Sequence, residues 1–268
     1  IASDANRAAR EYLLERLRRL GLEPQVQRAV VQKQLVDRFA NAQVILGVVH
    51  NVVARLPGTA PDHAQRPTLL LATHYDTGKG TLGAADGAAP VAAMLETLRV
   101  LRAGAPLAND VVFLFADGEH ASGLGTKAFV DQHPWAKQVG LALRFDSAGN
   151  RGPLVLYNTH GADSDIIRGW YSSGPRRYGS SLMRYVDQLT SKAVAIGPLA
   201  TLAAPVLHFA NSAGTLGPHG ALDIPARLDR ATLQHMGDTM TQLVRHFGQQ
   251  ALLRSAEKAA DAVYFALP

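Results

Sequence analysis

Hydrophobic and polar positions along the chain change period several times, and each change marks an element. Residues 4–20 place Tyr12, Leu13, Leu17 and Leu20 at helical spacing and stop at Gly21, which predicts a helix with a glycine C-cap. Two β-like runs follow, "VQRAVVQ" and "VILGVVHNVVARL", the second closed by Pro57-Gly58. After the polar loop "GTAPDHAQRP", the short apolar run "TLLLAT" has the character of a strand buried on both faces of a parallel sheet. A glycine-rich loop then leads into "APVAAMLETLRVLRAG", a helix ending at Gly104. "NDVVFLFA" predicts a strand, "LGTKAFVDQ" a helix, "VGLALRFD" a strand and "GPLVLYN" another. Residues 163–188 are expected to be helical in two pieces. "APVLHFA" is a late strand, and "DRATLQHMGDTMTQLVRHFG" an amphipathic helix with Asp229 as N-cap. Strands alternate with helices, so the expected class is α/β, a mostly parallel mixed sheet covered by helices on both faces. No domain boundary interrupts the pattern, and residues 1–268 read as one domain.

Composition narrows this only a little. With 268 residues, 47% of them hydrophobic, the chain can bury one large core. No apolar run approaches the length needed to span a bilayer. There is no cysteine, so disulfides and thiolate metal sites are excluded and a metal would need His, Asp and Glu. The net charge of +5 comes from scattered arginines, and aromatics make up 6% of residues, a pattern that argues against nucleic-acid binding. The chain starts at Ile1 and finishes in the apolar "DAVYFALP", so both ends read as cut from a longer protein.

Candidate chemistry collects at one place. In open α/β sheets ligands bind beyond the carboxyl ends of the strands. "LLLAT" runs into His74, Tyr75 and Asp76; "VVFLFA" into Asp117, Glu119 and His120; "LALRF" into Asp146; and the late strand leads through a loop to His219. Asp86 stands in the glycine-rich loop between the first of these strands and its helix. Taken singly, each has an ordinary explanation: Asp86 as a turn residue or helix cap, Asp146 as a strand end, His219 as an exposed loop residue. Together they bring metal-ligand side chains to one edge of the sheet. Two divalent ions need a bridging carboxylate and terminal His or carboxylate ligands, and together they activate water. Glu119, next to a ligand, suits a general base. Asp76, two residues beyond His74, suits a carboxylate that supports the imidazole from behind. His63, His133, His208, His235 and His246 read as packing or surface residues.

The succession "HYD", "GAADGAAPVAAMLE", "LFADGEHASGLG", "LRFD", "PHGALDIPARLD" resembles the zinc aminopeptidases of metallopeptidase family twenty-eight. Within that family it is most similar to the peptidase domains of large multi-spanning membrane proteases. The resemblance implies a three-layer αβα sandwich, phosphorylase/hydrolase-like, and hydrolysis of the N-terminal peptide bond. It implies His74, Asp86 and Asp146 as ligands of one zinc, Asp86 as the bridge, His219 as a ligand of the second, Glu119 as general base and Asp76 as the residue that orients His74. Two zinc ions are expected, or one if His120 does not bind. The partner would be a peptide or protein N-terminus. Membrane contact would run through segments beyond "DAVYF", with the domain on the periplasmic or extracytoplasmic side.

The chain departs from the family pattern close to these residues. His120 stands where the family has a second Glu that binds metal, Gly87 where it often has an Asp, and "HGA" where it usually has "HTP". "LTSKAVAIG", with Lys192, replaces a segment that is usually acidic. Two other readings follow from these changes. One is a single-zinc transferase similar to glutaminyl cyclase, suggested by Pro90 four residues after Asp86. The other is a metal-poor ectodomain kept for binding.

Overall fold

The computed structural model describes residues 1–36, 42–182, 196–211, 213–214, 220–252 and 262–266. The chain begins with α1 (Asp4–Arg19), capped by the Ser3 side chain, which accepts from the Asn6 amide. β1 (Gln25–Val36) and β2 (Ala42–Leu56) form a long antiparallel hairpin in continuous register from Gln25↔Val53 to Val36↔Ala42. β3 (Thr68–His74), α2 (Ala89–Ala103), β4 (Val111–Ala116), α3 (Leu124–Gln132) and β5 (Val139–Ser147) follow. β6 (Val155–His160), α4 (Ser164–Ser172), β7 (Tyr178–Ser180), β8 (Val206–Asn211), α5 (Arg230–Phe247) and β9 (Phe265–Ala266) complete the described elements.

The nine strands among the described residues lie in one sheet, ordered β1-β2-β4-β3-β5-β8-β6-β7-β9. The interior pairs β4-β3, β3-β5 and β5-β8 are parallel, and antiparallel pairs flank them at β2-β4 and β8-β6. Every residue of β3 is buried, because a parallel strand in the middle of a sheet is covered on both faces. Alternation assigns its side chains to two cores. Leu69 and Leu71 pack with Leu17 of α1, Met94 and Leu98 of α2 and Met240 of α5, whereas Leu70 and Ala72 pack with Phe129 of α3 and Leu199. The result is the expected three-layer sandwich.

One expectation needs correction. The segment 163–188 does not pass directly from one helical piece to the next: α4 ends at Ser172, and after Gly174-Pro175 the chain enters β7, parallel to β6, before Leu182 returns to helical backbone. A Cβ on Gly179 would sit 2.9 Å from that of Leu156, so glycine permits the close strand approach that overrides helical spacing. Residues 183–188 lie outside the described residues. Phe265–Ala266 form β9, antiparallel to β7, and Tyr264 is buried against Trp170 at a ring separation of 5.5 Å.

The chain leaves β3 to build β4 on one side and later β5 on the other. The carboxyl end of β3 is therefore the point where the crossovers diverge, and a crevice opens there.

Candidate metal centre

His74 is the last residue of β3 and is buried. Its Nδ1 lies 2.9 Å from the carbonyl oxygen of Asp76 and 3.6 Å from that residue's Oδ1. The backbone of Asp76, more than its carboxylate, thus fixes the ring, which leaves Nε2 facing the crevice. The Asp76 carboxylate is taken up elsewhere: it accepts the amides of Glu119 at 3.0 Å and His120 at 3.1 Å. Asp76 therefore ties the loop after β4 to the end of β3, a role beyond the expected support of His74.

Asp86 sits in a wide turn ahead of α2 with non-helical backbone, φ −85° and ψ 101°, followed by Gly87 at φ 99°. It is not the helix cap; that position is Ala88, which caps with no side chain. The turn is held by Asp223, whose carboxylate accepts the amides of Ala85 at 2.7 Å and Asp86 at 3.1 Å. Asp223 is buried, and the sequence reading missed it, although it lies within "PHGALDIPARLD". With the turn so anchored, Asp86 Oδ1 comes 3.4 Å from His74 Nε2 and Oδ2 comes 2.9 Å from His120 Nε2.

The loop after β4 uses three left-handed residues, Gly118, Ser122 and Gly123, to fold back on itself. Asp117 is a structural anchor: its carboxylate accepts from the His50 amide and the Asn6 side chain, both at 3.0 Å. Glu119 Oε1 accepts from the Thr126 amide at 2.9 Å and from its hydroxyl. Glu119 Oε2 lies 3.2 Å from the guanidinium of Arg144. The same Arg144 nitrogen is 3.0 Å from Asp146 Oδ2. The sequence reading missed Arg144; the signal for it is a charged residue inside an apolar strand, two positions before Asp146 and so on the same face.

Asp146, near the end of β5, turns Oδ1 toward His74 Nε2 at 3.1 Å, and Oδ2 has His208 Nε2 3.7 Å away. His208 is fully buried in β8. Glu119, His120, Asp76, His74, Asp86 and Asp146 are thus brought together; His219 lies outside the described residues, as does most of "LTSKAVAIG".

The electrostatics follow from this packing. Burial disfavours the charge of His74, yet Asp146, Asp76 and Asp86 around it outweigh burial and hold its pKa well above the ordinary imidazole value. Asp146 is likewise penalised by burial, but Arg144, His208 and His74 hold it well below the carboxylate range. Asp86 is lowered by His120 and His74 against its own burial, and the Asp86 hydrogen bond raises His120. Among the described residues one set of three offers ligand atoms that all lie within 4.8 Å of one another: His74, Asp86 and His120. These residues fit a metal ion. Nε2 of His74 carries at most one hydrogen yet faces two carboxylates, an arrangement that a cation completes. Imidazole nitrogen with carboxylate oxygen is a donor set that zinc accepts.

Solved structures share the three-layer sandwich. A glutaminyl cyclase from an Acidobacteriales bacterium superposes with a TM-score of 0.65 at 19% identity, covering 91% of this chain and 87% of that one. An aminopeptidase from Aneurinibacillus sp. strain AM-1 gives 0.60 at 16% identity, covering 83% and 54%. At such identities the likeness is one of fold. The chain belongs to peptidase family M28, whose pattern matches residues 51–244. It is 30% identical over 141 residues to endoplasmic reticulum metallopeptidase 1 of Rattus norvegicus, a match that covers 52% of this chain and 15% of that protein. It is 34% identical over 119 residues to a vacuolar membrane protease of Candida albicans, covering 44% of this chain and 13% of that protein. The chain thus spans a small fraction of the length of these relatives. Among the described residues no helix is long and apolar enough to cross a membrane.

Proposed function

We propose that this domain is a zinc-dependent aminopeptidase acting on free peptide or protein N-termini. The observation that carries the reading is the meeting of His74, Asp86 and His120 within 4.8 Å at the switch point of a family M28 fold. His74 and Asp86 arrive from β3 and the turn before α2; His120 takes the place of the expected Glu and turns Nε2 onto Asp86. Asp146 and His219 are the further candidate ligands the family pattern assigns. Zinc held there would polarise the scissile carbonyl and lower the pKa of a water molecule. Glu119 is the general base: it takes the proton of the attacking water and passes it to the leaving amine. Thr126 and Arg144 hold its carboxylate from both oxygens, so its direction is fixed before substrate arrives. Asp76 keeps Glu119 and His120 in step with His74, and Asp223 does the same for Asp86.

The membrane-protease names of the relatives support an extracytoplasmic domain of a larger membrane protein. The test of the activity uses one peptide in two forms. A free N-terminus should be trimmed and the acetylated form left intact, and Glu119→Gln should reduce turnover by about 10²-fold or more with zinc content unchanged. A peptide beginning with glutamine separates the cyclase reading: release of ammonia without hydrolysis would support the transferase and overturn the peptidase.

A further inference from the structure

The pattern of family M28 divides His74 and the residue at position 120 between two metal ions. The structure divides the site differently. The His74, Asp86 and His120 ligand atoms form one compact set, and Asp146 is not in it. Asp146 keeps Oδ1 at 3.1 Å from His74 Nε2, while its Oδ2 joins a second cluster, built around a buried cation. One guanidinium nitrogen of Arg144 stands 3.0 Å from Asp146 Oδ2 and 3.2 Å from Glu119 Oε2, with the Arg144 side chain 11% exposed. His208 adds an imidazole 3.7 Å from the same Asp146 oxygen, and Arg144 and His208 are register neighbours on β5 and β8.

We propose that Arg144 is a resident cation that limits this centre to one tightly held zinc, bound by His74, Asp86 and His120 together. The inference rests on the metal reading of the site given above. Its logic is electrostatic. A guanidinium cannot leave and cannot lose its proton, so an arginine inside a ligand shell competes permanently with a divalent ion for the same carboxylates. Asp146 satisfied by Arg144 is a weak ligand, and Glu119 bridged to the same nitrogen has its second oxygen committed. A second divalent ion on that side would lie beside a buried positive charge of the same sign. The change at position 120 fits the same account. An imidazole there offers a neutral nitrogen to the ion that His74 and Asp86 already face, whereas the family's Glu would add a negative charge suited to a second ion. Arg144 then serves as a positioning residue: it fixes Glu119 relative to the zinc-binding trio without touching the metal.

The experiment is zinc titration of the wild-type chain and of Arg144→Met, Asp146→Asn and Asp86→Asn, followed by calorimetry and by elemental analysis after dialysis. Wild type is expected to retain one zinc. Asp146→Asn should keep that ion with affinity within about fivefold, Asp86→Asn should lose it by about 100-fold or more, and Arg144→Met should gain a second binding event. Two tightly bound ions in wild type, or an emptied site in Asp146→Asn, would overturn the inference and restore the two-ion arrangement. No zinc in wild type at any concentration would instead overturn the metal reading beneath it. If Arg144→Met does not fold, wild-type stoichiometry and Asp146→Asn still decide.

Discussion

At the scale of single residues, this site is organised by buried carboxylates whose main partners are backbone amides. Asp76 accepts two amides from the loop after β4, and Asp223 accepts two from the turn that carries Asp86. Asp76→Asn keeps the shape but sets an NH2 group against an amide donor. It should cost about 1–3 kcal/mol of unfolding free energy, read by urea denaturation, and loosen both Glu119 and His120. The titration of His74 gives a second prediction. Its folded pKa lies above the unfolded value, so its contribution to the stability of the metal-free chain is present below the ordinary imidazole range. That contribution is lost as pH rises through the raised value. Zinc needs the neutral ring and must displace that proton. The gain in Tm on adding zinc should therefore be larger at about pH 8 than at about pH 6, and an equal or reversed gain would contradict the assignment of His74 as a ligand. Of these residues, His74, Asp76, Glu119, His120 and Asp146 were legible in the sequence because each follows an apolar run at a strand end, and Asp86 because it stands in the glycine-rich loop between β3 and its helix. Asp223 and Thr126 were not, because what they do depends on contacts across 138 and 7 residues that no local pattern announces.

At the scale of elements, periodicity located the helices and interior strands closely. "LGTKAFVDQ" is α3, and Asp229 caps α5 by accepting the Thr232 amide at 2.7 Å. Periodicity failed at β7, where pairing with β6 and β9 outweighs local preference, and at Asp86, which a cap reading explains equally well from sequence. The turn joining β3 to α2 depends on Gly87, whose φ of 99° L-residues rarely adopt. A Cβ there would stand 3.1 Å from the Asp76 carbonyl oxygen that holds His74. Gly87→Ala should therefore destabilise the chain by about 1–3 kcal/mol and weaken zinc binding in parallel. Retention of full zinc affinity would mean that the turn does not set the position of Asp86.

At the scale of the whole molecule, the sheet topology accounts for why candidate ligands far apart in sequence meet. β3 lies between β4 and β5, and helices on both faces bury the strands while their carboxyl ends stay open to one crevice. That much follows from alternating strand and helix signals, and the family motifs add the order of the ligands. What sequence could not supply was the division of the site into the compact set of His74, Asp86 and His120 and an arginine-centred cluster, since it depends on where side chains on different strands point. The most direct test of the account is to strip the chain with a chelator, then follow release of the N-terminal residue from a free-amine peptide as zinc is returned. Activity should vanish with the metal and recover in step with zinc bound at the site of His74, Asp86 and His120. Hydrolysis that persists in the stripped chain, or fails to appear when zinc is bound, would contradict it.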